Sequence, residues 1–168
     1  MFEKTEISDF YVNPFDKIGK EWMLINASKP DGSYNPMTAS WGGLGVLWNR
    51  NVCFCFIRDS RHTDAFAREG EVAAICFFDG ENRSILNYCG RYSGRDTDKV
   101  ADCKLTPITH PAGAVYFEEA KEVIVVKKLY TGKIEESGFN DRGLLKNYAD
   151  NDYHNVYVYE IIQILSKK

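Results

Sequence analysis

The chain has 168 residues, 44% of them hydrophobic, with ten Phe, ten Tyr and three Trp. That is enough for one domain with a real core and excludes a disordered chain. A net charge of −3 excludes general attraction to nucleic acid or anionic membrane, so any anion site must be a local cluster of positive groups.

The N-terminal stretch MFEKTEISDFYVNPF carries acidic residues early and lacks an apolar run, so it does not read as a signal peptide. Residues 13–20 read as an irregular arm in which Pro14 opposes a helix. Glu21–Ser28 is an expected strand, and Lys29-Pro30-Asp31-Gly32 a turn. The run Met37–Leu47 contains Gly42, Gly43 and Gly45, which mark either a bend in the sheet or close approach of a ligand. Asn51–Arg58 is apolar on both faces and reads as a central strand. Ser60 or Thr63 can cap a short helix through Arg68 that stops at Gly70.

Glu71–Phe78 is the next strand, and Asn82–Tyr92 has helical spacing. Asp96 can cap a further short helix to Cys103. Leu105–Ala114 is a proline-containing connection, Ala120–Tyr130 a strong strand, and Arg142–Tyr148 helical. Asn155–Leu165 closes the chain, with Glu160 breaking the two-residue alternation as a bulge or edge would. Six strands with short helices that do not alternate regularly with them imply a mainly β, antiparallel barrel. No run approaches the roughly 20 residues of a membrane span. There is no GxGxxG after a first strand and no GxxxxGK[ST].

Cys53, Cys55, Cys76, Cys89 and Cys103 are odd in number and sit mostly in apolar segments, as buried reduced thiols of a cytoplasmic protein would. Cys53 and Cys55 would share a strand face, but no second Cys or His pair has zinc-like spacing, so no metal is expected. His62, His110 and His154 are scattered, and no G-x-S-x-G elbow occurs. The side chains are poorly equipped for hydrolysis, so a cofactor would carry the chemistry.

Three constellations could hold one. In Arg58-Asp59-Ser60-Arg61-His62-Thr63, two guanidiniums, two hydroxyls and the free amides of a helix start suit a phosphate monoester. The plainer alternative is a solvated loop in which Arg58 pairs with Asp59 or Asp64. In Tyr92–Lys99, a glycine beside Arg95 and Lys99 offers a second anion contact, or only an ordinary capped helix. In Asn35–Trp41, Thr38 and Ser40 leave room for a planar ring and supply hydrogen bonds, with Trp41 beside it or simply in the core.

The ordered set NPMTASWGGLGVLWNRNVCFCFIRDSRHT, YCGRYSGRDTDK, AVYFEEAKEVIVVKKLY and DYHNVYVYEI, with the opening NPFDKIGKEWMLINAS, resembles the flavin reductase-like FMN-binding split-barrel proteins, which include flavoredoxins. The resemblance spans nearly the whole chain. It implies a six-stranded Greek-key split barrel binding FMN non-covalently, as a homodimer with sites near the interface. By resemblance, Asn35, Met37, Thr38, Ala39, Ser40 and Trp41 would line the isoalloxazine and ribityl region. Arg58, Ser60, Arg61 and Thr63 would hold the phosphate, with Arg95 and Lys99 adding to it. Tyr153 and His154 would lie near the flavin, His154 as the one candidate catalytic side chain, and the role of His62 is open. The implied activity is transfer of electrons from NADH or NADPH through FMN to free flavin, another small molecule or a redox protein. The alternative is a flavoredoxin-like carrier that exchanges electrons with proteins and turns over nicotinamide poorly.

Overall fold

The structure is a computed structural model that describes residues 1–167. Ten strands form: β1 (Phe2–Thr5), β2 (Met23–Ser28), β3 (Tyr34–Ala39), β4 (Gly42–Leu47), β5 (Arg50–Arg58), β6 (Val72–Phe77), β7 (Pro107–Thr109), β8 (Val115–Phe117), β9 (Glu122–Lys133) and β10 (His154–Lys167). Four α-helices join them: α1 (Pro14–Asp16), α2 (His62–Glu69), α3 (Arg83–Arg91) and α4 (Lys99–Asp102). The main sheet has eight antiparallel strands in the order β3-β2-β6-β9-β10-β5-β4, with β1 added on β10. β7 and β8 form a separate hairpin.

All six expected strands are present. The run at Met37–Leu47 supplies parts of two, because the strand breaks at Ser40 and Trp41, and β1, β7 and β8 are further additions. The mainly β, antiparallel architecture is the one expected from the strand count and the short helices.

Period-2 alternation builds two cores. Met23, Ile25 and Ala27 of β2, Ala73, Ile75 and Phe77 of β6, and Ile124 and Val126 of β9 fill the first. Leu24, Ala74, Cys76, Val123 and Val125 point the other way, against Ile85, Leu86 and Cys89 of α3 and Phe117 of β8. β2, β6 and β9 are therefore covered on both faces. β5, expected to be covered on both, is not: Cys53, Cys55 and Ile57 enter the first core, while Phe54 and Phe56 are half-buried because β5 lies one strand from the sheet edge. The Cys53 and Cys55 thiols meet at 3.8 Å, and this contact together with burial raises Cys55 well above the usual thiol range.

Several local expectations change. Pro14 starts α1 instead of preventing it, since the first helical position needs no N–H and Asn13 caps it by accepting from the Phe15 amide (3.1 Å). Neither Ser60 nor Thr63 caps α2; the N-cap is Arg61, and both hydroxyls are bound elsewhere. Asp98, not Asp96, caps α4, accepting from the amides of Val100 and Ala101 at 3.1 Å. The 105–114 connection contains β7, and 142–148 is a 3₁₀ helix. Around Glu160 the register shifts twice, between Val158 and Tyr159 and between Ile161 and Gln163, while Glu160 itself pairs with Arg50 at 2.5 Å.

A buried polar knot fixes α2 to the sheet. The Asp64 carboxylate accepts from Arg68 Nε (2.6 Å), Asn155 Nδ2 (2.9 Å) and Tyr157 Oη (2.7 Å). Gly70 ends the helix with Ser28 so close that an added Cβ would lie 1.9 Å from its carbonyl oxygen. Together these set where Arg61 and His62 stand.

Candidate functional site

A cleft of about 200 Å³ opens where β3 breaks. It is lined by Met37, Thr38, Ala39, Ser40, Trp41, Phe56, Arg58, Arg61 and His154. The break itself makes the space: Ser40 and Trp41 turn away from the sheet before β4 begins, and Gly42 can pass only because it lacks a side chain, since a Cβ there would meet Met23 and the Phe54 carbonyl at 2.9 Å. Trp41 is 49% exposed at the mouth, and its ring faces that of His154 at 5.3 Å. Thr38 and Ser40 both line the cleft, though Ser40 lies outside the strand. The Thr38 hydroxyl donates to the Leu86 carbonyl (2.5 Å) and ties β3 to α3.

His154 is buried and neutral. Burial, with Arg58 adding to it, lowers its pKa to about 4. Its Nδ1 and the Tyr148 hydroxyl share a hydrogen bond of 2.9 Å. Tyr153 is not in the cleft: it stacks on Tyr148 at 4.8 Å, behind His154.

The two arginines expected together differ in state. Arg58 Nη2 donates to the Asn147 carbonyl (2.7 Å), Nη1 lies 3.4 Å from Asp150, and the group sits over the Tyr148 ring at 5.2 Å. Neither Asp59 nor Asp64 is its partner; both carboxylates bind Arg68. Arg61 instead donates to the Cys89 carbonyl (3.2 Å), and Lys99, only 3% exposed, donates to the same carbonyl (3.1 Å) and to that of Pro36 (2.9 Å). Among the described residues neither Arg61 nor Lys99 has a carboxylate partner. The C-terminal end of α3 presents at most about half a negative charge to them, so most of their two charges is uncompensated. Burial lowers Lys99 to about 8, with Arg61 adding to the effect, and burial also lowers Arg61. A buried cation beside a half-buried one is costly unless an anion joins them.

Arg61 bridges the cleft to a second hollow of about 140 Å³ formed by Ser60, Arg61, His62, Gly90, Arg91, Tyr92, Ser93 and Lys99. Ser60 is already engaged: its hydroxyl donates to Asp152 (2.5 Å), its amide to the same carboxylate (3.2 Å), and its carbonyl accepts from Arg95 (2.8 Å). Thr63, 1% exposed, accepts from Asn35 Nδ2 (2.7 Å), so both lie beneath the surface, where they hold β3 against α2. Of the residues singled out in the sequence, Met37–Trp41, Arg58, Arg61 and His154 converge on one cleft, and Ser60 and Lys99 join Arg61 in the neighbouring hollow. Asn35, Thr63 and Tyr153 stand behind. Phe56, Gly90, Arg91 and Tyr148 were not singled out. Neither Phe56, whose exposure follows from β5 lying one strand from the sheet edge, nor Tyr148 carries a local signal in the sequence.

No protein-family model matches the chain, and no curated protein does. Solved structures do match. A flavoredoxin of Desulfovibrio vulgaris (Miyazaki F) superposes with a TM-score of 0.70 at 19% identity, over 99% of this chain and 78% of that one. A flavoredoxin from Methanosarcina acetivorans gives 0.69 at 18%, over 95% and 75%. An FMN-binding domain of a flavin reductases-like enzyme from Shewanella baltica OS155 gives 0.69 at 12%, over 99% and 77%. The chain therefore has the split-barrel fold of these FMN-binding flavin reductase-like proteins and flavoredoxins.

Proposed function

We propose that this protein binds FMN non-covalently and works as an oxidoreductase that takes electrons from NADH or NADPH and delivers them to free flavin or another acceptor. The observation that carries the reading is the carboxylate-free pair of half-buried Arg61 and buried Lys99 at the head of an aromatic-rimmed cleft on a fold shared with FMN-binding proteins. The donor set fits the group. A phosphate monoester, with about two charges at neutral pH, matches the two uncompensated cations. The flat ring suits the space between Met37–Trp41, Phe56 and His154.

Arg61 and Lys99 would hold the phosphate, with Ser60, Arg91 and Ser93 around it. Arg58, already bound by Asn147 and Asp150, would act more on the ring side than on the phosphate. Bound FMN would supply the hydride- and electron-accepting chemistry. The protein's own part is orientation and exclusion of water, together with a neutral imidazole at His154 whose Nδ1 is tied to Tyr148.

The cleft is smaller than the roughly 300–1,000 Å³ of whole-ligand sites. Edge strand β4 beside it bears exposed Val46, followed by exposed Trp48, which packs with Tyr130. Two copies meeting there would cover this apolar edge and close the cleft, so we propose a homodimer. Five free cysteines, four of them buried, suit a reducing compartment such as the cytoplasm. Among the described residues no helix is long and apolar enough to cross a membrane.

The test is an absorbance spectrum of the purified protein before and after anaerobic NADH or NADPH. Flavin bands that bleach with nicotinamide support the reductase. Bands that bleach only with dithionite favour a flavoredoxin-like carrier, a reading that the half-exposed Trp41 at the cleft mouth also suits. A colourless protein that takes up no added FMN would refute both.

A further inference from the structure

The hollow assigned to the phosphate is not a dead end. It shares His62 and Lys99 with a third cleft, of about 400 Å³, between the start of β3, α2 and the loop entering α4. Ring cleft and phosphate hollow thus adjoin at Arg61, and phosphate hollow and third cleft adjoin at His62 and Lys99. The third cleft alone is large enough for a nucleoside.

Its lining is chemically divided. Tyr34 and His62 offer half-buried aromatic surfaces, and His62 is held uncharged by burial and by the positive charges of Arg95, Lys99 and Lys29, so it presents a flat neutral ring. His62 is also braced edge-on against Phe66 at 5.1 Å. Arg95 stands on the side of the phosphate hollow, anchored to the Ser60 carbonyl, and can meet a second phosphate. Asp96 and Asp98 would repel a bare anion but accept from ribose hydroxyls and an exocyclic amine.

We propose that this third cleft takes the adenylate half of FAD, so that the protein accepts the dinucleotide flavin as readily as FMN. The inference rests on the flavin reading above and adds the second subsite. Physical chemistry makes the comparison of the two flavins informative. FMN ends in a phosphomonoester of about two charges, whereas each phosphate of FAD's pyrophosphate, with one ester and one anhydride link, carries one. With Arg61 and Lys99 alone as recognition, FAD would bind more weakly than FMN. Stacking one base on an aromatic side chain shifts affinity by about 5- to 150-fold, which offsets that loss.

The experiment is titration of the flavin-free protein with riboflavin, FMN and FAD, followed by fluorescence quenching, in the wild type and in Tyr34→Leu. Tyr34 lines the third cleft and neither of the others. The expected result is FAD at least as tight as FMN in the wild type, and an FAD affinity about tenfold lower in Tyr34→Leu with FMN affinity unchanged. The unchanged FMN value also shows that the variant is folded. FAD binding tenfold or more weaker than FMN in the wild type overturns the adenylate subsite and leaves the FMN reading standing. An equal loss for both flavins in Tyr34→Leu overturns it as well. If none of the three binds, the flavin reading itself falls, and the subsite with it.

Discussion

Replacing Lys99 with methionine separates what this lysine does for the fold from what it does for a ligand. Burial lowers its pKa from 10.5 to about 8, which amounts to about 3 kcal/mol working against the charged form in the folded protein. At pH 7 the group is charged in both states, so the folded protein carries that whole cost. Methionine removes the charge and keeps the length of the stem. The two carbonyls it leaves retain other donors, Asn35 at Pro36 (3.3 Å) and Arg61 at Cys89 (3.2 Å). The expected outcome is a ligand-free Lys99→Met protein more stable than wild type by about 1–3 kcal/mol at pH 7, measured by urea unfolding. Between pH 8 and 10.5 the folded lysine loses its proton while the unfolded one keeps it. Wild-type stability therefore rises with pH in that window, and the gap to the variant closes. Flavin affinity should move the other way. One charge-assisted contact is worth about 1.5–3 kcal/mol, so Lys99→Met should bind FMN about 10- to 150-fold more weakly at pH 7. Wild-type affinity should fall as pH rises through 8, and that fall should be missing in the variant. A variant less stable than wild type that binds FMN normally would refute the reasoning, because Lys99 would then be a structural cation and the phosphate would sit elsewhere.

The remaining predictions use the same geometry. Arg61→Ala should weaken FMN binding more than Arg58→Ala, since Arg58 is already held by Asn147 and Asp150; equal losses in a binding titration would contradict this. His154, lowered to about 4 by burial, should make stability fall as pH drops from about 6.5 towards 4, because the unfolded imidazole takes a proton that the folded one refuses. The size is on the order of 2–3 kcal/mol, and the urea midpoint of His154→Gln should be flatter over that window. Gly70→Ala should cost about 3 kcal/mol or more, since its Cβ would collide with the Ser28 carbonyl, and a thermal melt within a degree of wild type would show that the α2 terminus yields easily. Asp64→Ala leaves the Tyr157 hydroxyl without its buried acceptor and Asn155 with Asp59 alone, and should cost about 3–5 kcal/mol by the same assay.

Much of the fold was legible because it rests on local pattern. The unbroken apolar stretches VAAICFF within EVAAICFF and VIVV within AKEVIVVKKLY became the centres of β6 and β9, covered on both faces. NVCFCFIR reads the same way and yet became a strand with one half-open face, since neighbours decide coverage and a run of residues does not name its neighbours. Part of the site was legible for a similar reason. Met37 to Trp41 are consecutive, and a broken strand presents consecutive residues to one cleft. What could not be read was which polar groups are free. Ser60 and Thr63 look like phosphate ligands in the sequence, but Asp152 and Asn35 already occupy them from 92 and 28 residues away. Arg58 and Arg61 are equivalent in the sequence and differ only because Asn147 and Asp150 arrive from a distant loop.

That difference bears on why an acidic protein keeps a buried Lys99 and a half-buried Arg61 without carboxylates. Asp59, Asp64, Asp150 and Asp152 all lie near this corner, and each is directed elsewhere: the first two bind Arg68, and the last two neutralise the Arg58–Ser60 side. Asp98 is only one residue from Lys99, yet its carboxylate is turned to the α4 amides. A carboxylate swung onto Lys99 would relieve its charge and fill the hollow, giving a more stable and less useful protein. The helix end at Cys89 instead gives both cations one shared acceptor, enough to fix their positions and too weak to neutralise them. Positions held firmly with charge left over are what a preorganised anion site requires, because the ligand then need not displace an internal partner. The stability forgone at Lys99 and the affinity gained there are two readings of one electrostatic quantity, which is why a single substitution should move them in opposite directions.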